Sequence, residues 1–406
     1  MCDALCSLQG TGALFAKSSD RPPSEAQVVE RRGPRAGGSV LRTQYLTLED
    51  VGAAALLGSR PTWTWGFEHG VNEHGVAIGN EQIWTVDDPR DAPSALTGLD
   101  LVRLGLERAD RAESAVDLMT SLLESHGQGG IADRDEHKAY FSSFLVADAG
   151  EAWVLETSAR SWAARRVGVE EHGVSLSNRI CLSTDWTRAS NDVAAAGDFD
   201  RWRLASSPTE HADKRLAVTR PCATSGPEDA RPAAIAGVLR DHDGVSWGRP
   251  DGDPAVVALP PAVVDRRGSG VSVCMHLTDV QATTASMIVS LPGDGAPIRV
   301  WCLLGSPCVA IFVPWFPFDD GADLPQLASA TTWHRFRRLR DRVEHERATG
   351  PGSTEVLAAV RGVWAPLERE LWDEADAIAT ADPPARTAWT ATLWPRIETA
   401  LLRLGV

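Results

Sequence analysis

Residues 141–167 read FSSFLVADAGEAWVLETSARSWAARRV. Three β-rich runs, 141–148, 151–158 and 161–167, are joined by two-residue links at 149–150 and 159–160. Links this short cannot carry a crossover, so the runs pair as antiparallel neighbours. A fourth run, GVSLSNRI (173–180), extends the meander.

A second β group lies far along the chain: VSVCMHL (271–277), TTASMIVSL (283–291), IRVWCLL (298–304) and CVAIFVPWF (308–316). Near the start, TGALFAK (11–17) reads as a strand that Pro22 and Pro23 stop. RPTWTWGFEHGVNEHGVAIGNEQIW (60–84) reads as strand, turn, strand around Gly70, Gly75 and Gly79. Between these come LTGLDLVRLGLERAD (96–110) and RAESAVDLMTSLLESHG (111–127), whose apolar spacing predicts two helices packed side by side, the second ending at Gly127. Two antiparallel β groups with helices predict an α+β fold of stacked sheets covered by helices. The polar stretch 188–255 is expected to be an insertion or cap. From about 326 the chain turns rich in Ala, Leu, Arg and Glu with helical periodicity, so 2–325 is expected to be the main domain and 326–406 a C-terminal helical segment.

The 40 basic and 55 acidic residues leave a net charge of −15, which argues against nucleic acid or an anionic membrane as partner. No secretory signal or membrane-length apolar run is visible. Seven cysteines, irregularly spaced and without a CxxC, predict a reducing, cytoplasmic setting and no disulfide framework. His69 and His74 match no zinc signature and the other histidines are dispersed, so neither a metal nor a cofactor is expected. Homo-oligomerisation is a base-rate expectation.

The candidate chemistry begins at MCDALC (1–6). A small residue after Met1 permits removal of the methionine, which would leave Cys2 with both a thiol and a free α-amine. The thiolate is the strong nucleophile and the neighbouring amine can take its proton, so one residue supplies nucleophile and base. Cys6 would need a further cleavage and fits a buried strand position better. In FAKSSDRP (15–22), Asp20 is a candidate to orient the terminal amine or thiol, and Lys17 or Arg21 to lower the thiol pKa or bind a substrate carboxylate; a charged turn is the plainer reading of that segment alone. Asn80 is a candidate oxyanion donor, against the reading of a turn asparagine. Asn178 and Arg179, placed inside an apolar strand, need partners if buried. Trp63, Trp65 and Trp84 either line a pocket or pack beneath it.

Taken together, MCDAL, FAKSSDRPP, SRPTWTWGFEHGVNEHGVAIGNE, GLDLVRLGLERA, LLESHGQGG and EAWVLETSARSWAA resemble the secernins and the bacterial dipeptidase A-type cysteine peptidases, N-terminal-nucleophile hydrolases. The resemblance runs over roughly residues 2–318. It implies a four-layer αββα sandwich and Cys2 as the mature N-terminal nucleophile. It also implies Asp20 at the terminal amine, Asn80 in the oxyanion hole and Asn178 in the same site. Lys17 stands where acylase relatives carry Arg, and cannot make that bidentate contact. Lys17, Arg21, Trp65 and Arg179 are the expected substrate-binding residues. The function expected is a dipeptidase acting on small peptides through a thioester. Two alternatives stand beside it: hydrolysis of N-acyl amides, and a secernin-like regulatory role without hydrolysis.

Overall fold

In a computed structural model, residues 1–134, 137–226, 229–242, 270–277, 280–321, 323–349 and 355–406 are described. Fifteen strands build two antiparallel sheets. In chain order they are β1 (Cys2–Leu8), β2 (Gly12–Arg21), β3 (Gln27–Arg32), β4 (Leu56–Pro61), β5 (His69–Asn72), β6 (Ala77–Ile83), β7 (Phe141–Ala147), β8 (Ala152–Ser158), β9 (Ser161–Val167), β10 (Gly173–Leu176), β11 (Arg188–Ala189), β12 (His276–Leu277), β13 (Gln281–Pro292), β14 (Arg299–Leu304) and β15 (Val313–Trp315). The seven-stranded sheet runs β10-β1-β2-β13-β14-β15, with β12 also paired to β13. The eight-stranded sheet runs β11-β9-β8-β7-β6-β5-β4-β3. The meander β7-β8-β9 is as expected. The second β group falls in the other sheet, where β13 joins it to the N-terminal strand β2.

The sheets face each other, and β2 is buried along its whole length because both of its faces are covered. Helices α1 (Gly98–Arg108) and α2 (Ala112–His126) pack together on the outer face of the eight-stranded sheet, close to the expected bounds. A capping box starts α1: Thr97 Oγ1 accepts from Asp100 N–H at 3.1 Å, and the Asp100 carboxylate accepts from Thr97 N–H at 2.9 Å. Gly127, at φ +79°, ends α2. On the outer face of the other sheet lie α4 (Thr209–Thr224) and α5 (Pro232–Val238), after the short α3 (Asn191–Ala196). The layers are therefore αββα. The described part of 188–255 supplies the outer helical layer; residues 243–255 lie outside the described residues.

Helices α6 (Ala330–Thr349), α7 (Glu355–Ile378) and α8 (Pro383–Arg403) follow in the last part of the chain. They cover the far edges of the sandwich, α6 against β3 and α7 against β15. Their apolar faces join the same cluster as the inter-sheet core rather than forming their own. Tryptophans fasten them: the indole N–H of Trp333 donates to Thr284 O at 2.8 Å, of Trp364 to Val309 O at 3.0 Å and of Trp372 to Phe312 O at 2.9 Å. Each ring buries a large apolar area while its N–H satisfies a carbonyl. Among the described residues, no helix is long and apolar enough to cross a membrane.

Candidate active site

Cys2 opens β1 and pairs with Ser19 of β2. Directly opposed residues share a face of a sheet, so Cys2, Ser19 and Lys17 all point toward the eight-stranded sheet. Gly79 of β6 makes room there, since a Cβ at that position would stand 2.7 Å from Lys17 Cδ. Lys17 Nζ donates to Ser19 Oγ at 2.9 Å and Ser18 O at 3.3 Å, and lies 3.6 Å from Glu68 Oε2. Ser19 Oγ meets His69 Nδ1 at 3.2 Å. Burial pushes the Cys2 thiol pKa up, and the Lys17 ammonium pulls against it. Burial works against the Lys17 charge too, but Cys2, Glu68 and Glu81 hold its pKa above the ordinary lysine value. Burial, then Lys17, push His69 well below the usual range, so its ring is neutral.

The nitrogen side of Cys2 is held from other elements. Asn178 Oδ1 accepts the Cys2 backbone N–H at 2.7 Å, while Asn178 Nδ2 donates to Gln82 O at 2.8 Å. Asn178 and Arg179 follow β10 in a bend, not within a strand as the apolar run suggested. Arg215 of α4 reaches in from the outer layer and is 1% exposed. Its Nη1 donates to Cys2 O at 3.0 Å and Asp3 Oδ2 at 2.8 Å, and its Nη2 to Asn178 Oδ1 at 2.9 Å. Asp20 Oδ1 accepts from Thr283 Oγ1 at 2.7 Å. Asp20 Oδ2 lies 4.0 Å from Arg215 Nη1 and, among the described residues, has no hydrogen-bond partner. Burial raises the Asp20 pKa to about 6, against the pull of the chain's amino terminus and Arg215. The Met1 ammonium donates to Gln281 Oε1 at 2.8 Å, and Asp20 N–H donates to Met1 O at 3.0 Å.

Other expected site residues stand differently. The Asn80 side chain lies beneath Gly98 at the start of α1. In the orientation that gives both amide atoms complementary partners, its Nδ2 donates to Glu68 Oε2 at 2.7 Å and Glu68 O at 3.0 Å. Its connection toward Cys2 thus runs through Glu68 and Lys17. Arg21 is buried and donates from Nε to Glu25, from Nη1 to Glu68 Oε1 at 2.9 Å and from Nη2 to Ala132 O at 2.9 Å. Trp65 stacks on Arg103 of α1, with the guanidinium carbon 3.9 Å from its ring centroid, and joins the apolar cluster beneath α1 and α2. Arg179 pairs with Asp213 near the surface. Cys6, the rival nucleophile, is fully buried in the main core, where burial pushes its thiol pKa far up.

Several neighbours were not singled out from the sequence. Arg215 sits in a charged helix segment where nothing distinguishes it from a solvated arginine. Glu81 carried a usable signal, being a carboxylate inside the apolar strand AIGNEQI. Both its oxygens are buried without a hydrogen-bond partner among the described residues, and burial raises its pKa to about 8. A cleft of about 510 Å³ is lined by Gln82, Trp84, Val86, Lys138, Tyr140 and Leu204 among others. It adjoins the site at Gln82, whose carbonyl accepts from Asn178 Nδ2. A volume of this size suits a small molecule.

No protein-family model matches the sequence. Among solved structures, penicillin V acylase from Agrobacterium tumefaciens is similar at TM-score 0.42 and 12% identity, over 78% of this chain and 86% of that one. The C2A mutant of conjugated bile acid hydrolase from Clostridium perfringens gives 0.40 and 12%, over 74% and 88% of the two chains. The Caenorhabditis elegans ortholog of N-acylethanolamine-hydrolyzing acid amidase gives 0.36 and 10%, over 59% and 86%. Likeness this distant carries no argument about what the chain does. The sandwich rests on its own sheet order and layers.

Proposed function

We propose that this chain is a cysteine amidohydrolase whose nucleophile is the thiol of Cys2, exposed as the N-terminal residue by removal of Met1, and that its substrates are dipeptides. The observation that carries the reading is the grip of Asn178 Oδ1 on the Cys2 nitrogen at 2.7 Å, with Asp20 Oδ2 unpartnered among the described residues and 4.0 Å from Arg215 Nη1, the nitrogen that donates to Cys2 O. With Met1 gone, that nitrogen is an α-amine; Asn178 Oδ1 is its buried acceptor, and Asp20 is the proposed second one. A backbone amide alone would not require the second, ionisable acceptor.

The chemistry follows. Cys2 Sγ attacks the amide carbonyl carbon, and its proton passes to the α-amine. The carbon–nitrogen bond breaks as the α-amine returns that proton to the leaving amine, which leaves a thioester on Cys2. Water then attacks the thioester carbon, the α-amine takes a water proton, and Sγ recovers it as the acid product departs. Lys17 steadies developing negative charge on Sγ, and neutral His69 behind Ser19 fixes the Lys17 position. Asn80 is the proposed oxyanion donor; in that role one of its amide hydrogens leaves Glu68 as the oxyanion forms. The cleft beside Gln82 and Tyr140 admits substrate.

The test combines intact mass with a substrate panel. Protein from a cytosolic host should lack the methionine mass and should cleave dipeptides, and Cys2→Ala should abolish turnover while leaving the fold intact. A protein that keeps Met1 and cleaves nothing would overturn the enzyme reading. Cleavage of N-acyl amino acids in preference to dipeptides would overturn only the substrate.

A further inference from the structure

His242, Cys274, His276 and Cys308 bring four donor atoms within 4.8 Å of one another. The dispersed histidines that argued against a metal in the sequence are gathered by the fold from three separate segments. Cys274, His276 and Cys308 are 0%, 2% and 5% exposed, and His242 is half-buried. His276 Nε2 lies 3.4 Å from Cys274 Sγ and 3.3 Å from Cys308 Sγ. The two imidazole centroids are 5.3 Å apart.

We propose that these four side chains form a structural zinc site of the Cys2His2 type. A tetrahedral zinc with Zn–S of about 2.3 Å and Zn–N of about 2.0–2.1 Å has S···N edges of about 3.5 Å. Both S···N distances here are within a few tenths of that edge. One imidazole N–H cannot donate to two sulfurs in different directions, but one Nε2 lone pair and two thiolates can share a cation. Soft sulfur with imidazole in a closed set of four selects zinc over calcium or magnesium.

The surroundings support a built site. Glu344 Oε1 lies 3.2 Å from His276 Nδ1, which fixes the tautomer that turns Nε2 toward the sulfurs. Each ligand segment is tied to another beside its ligand. Cys274 N–H donates to Asp241 O at 3.0 Å, next to His242. Arg240 Nε donates to Pro307 O at 2.9 Å, next to Cys308. Between the two ligands of the Cys-Met-His run, Met275 N–H donates to Thr283 Oγ1 at 2.8 Å, the hydroxyl that donates onward to Asp20. An ion there pins the segment that holds Asp20 in place, without touching Cys2.

The experiment is metal analysis of the full chain, purified without chelator or affinity-resin metal. About one zinc per chain is expected. Cobalt replacing it should give the absorbance of thiolate-bound tetrahedral Co(II), and a chelator should lower the melting temperature. Cys274→Ser with Cys308→Ser should lose the metal. Glu344→Gln, which keeps all four ligands, should weaken zinc binding about 10- to 100-fold and guards against a double variant that fails to fold. A folded wild-type chain that binds neither zinc nor cobalt would overturn the site. So would a mass deficit of two hydrogens, reversed by reductant, with no metal bound after reduction, which would identify a Cys274–Cys308 disulfide.

Discussion

Asn178 Oδ1 accepts from the Cys2 nitrogen at 2.7 Å and from Arg215 Nη2 at 2.9 Å, so one amide oxygen joins the start of the chain to α4. Asn178→Ala removes that acceptor and leaves Arg215 Nη2 without its partner in a buried space. The expected loss is about 1–3 kcal/mol of stability and about a hundredfold in kcat/KM. Thermal melts and steady-state kinetics read the two separately. A variant with the stability loss and full activity would show that Asn178 serves only the fold.

Asp20 sets the acid side of the activity profile. Its carboxyl is raised to about 6 by burial, so kcat/KM should rise with pH through about 6 as the acceptor for the α-amine ionises. Asp20→Asn keeps the oxygen that accepts from Thr283. It should flatten that limb and lower the plateau by about 10²–10⁴. A limb unchanged in the variant would assign the titration to another group.

Glu81 makes stability fall as pH rises. Its folded pKa is lifted from 4.5 to about 8 by burial, so the folded chain holds a proton that the unfolded chain releases from about 4.5 upward. Glu81's contribution to stability is therefore fully present below 4.5, is lost progressively up to about 8 and is gone beyond. The total is on the order of 5 kcal/mol. Glu81→Gln cannot ionise, so its melting-temperature advantage over wild type should widen across that window. Equal melting temperatures at pH 5 and pH 8 would contradict a neutral buried carboxyl.

Lys17 acts on the nucleophile through charge. Lys17→Met removes the cation that offsets burial at Cys2, so alkylation of Cys2 by a small neutral reagent should slow about tenfold or more at neutral pH. Lys17→Arg keeps the charge and should restore part of the rate. The pH dependence of alkylation separates a thiol pKa change from loss of access, because blocked access slows the reaction at every pH.

Asn80 separates two roles. As oxyanion donor, its replacement by Ala should cost about 10²–10³ in kcat with alkylation of Cys2 unchanged. As a support for Glu68 alone, it should change Cys2 alkylation along with turnover. Measuring both rates on one variant distinguishes them.

The strands and the first two helices were legible in the sequence because their signals are local. The β-rich runs and short links over 141–167, the Thr97-to-Gly127 helical pair and the helical tail after 326 each depend on residues close in the chain. The joining of the N-terminal strand to the far β group was not legible. It rests on the register of Lys17 with Met287, which no local pattern encodes.

The candidate site divides in the same way. Cys2, Asp20 and Lys17 could be named from the sequence because Cys2 follows Met1, because a carboxylate and cations cluster in FAKSSDRP, and because both stretches resemble the same family; the opposed pair of Cys2 and Ser19 came with the structure. Arg215 and the gathering of His242, Cys274, His276 and Cys308 appeared only with the tertiary structure, and the burial of Glu81 with them. Trp65 and Arg21, expected to meet substrate, are engaged instead by Arg103 and by the pair Glu25 and Glu68. A residue's type sets what chemistry it can do, and its near neighbours set its local backbone. Whether a charge is solvated, buried or aimed at a thiol depends on which distant segment packs over it. Here α4 and the sheet contact through Gly79 decide that.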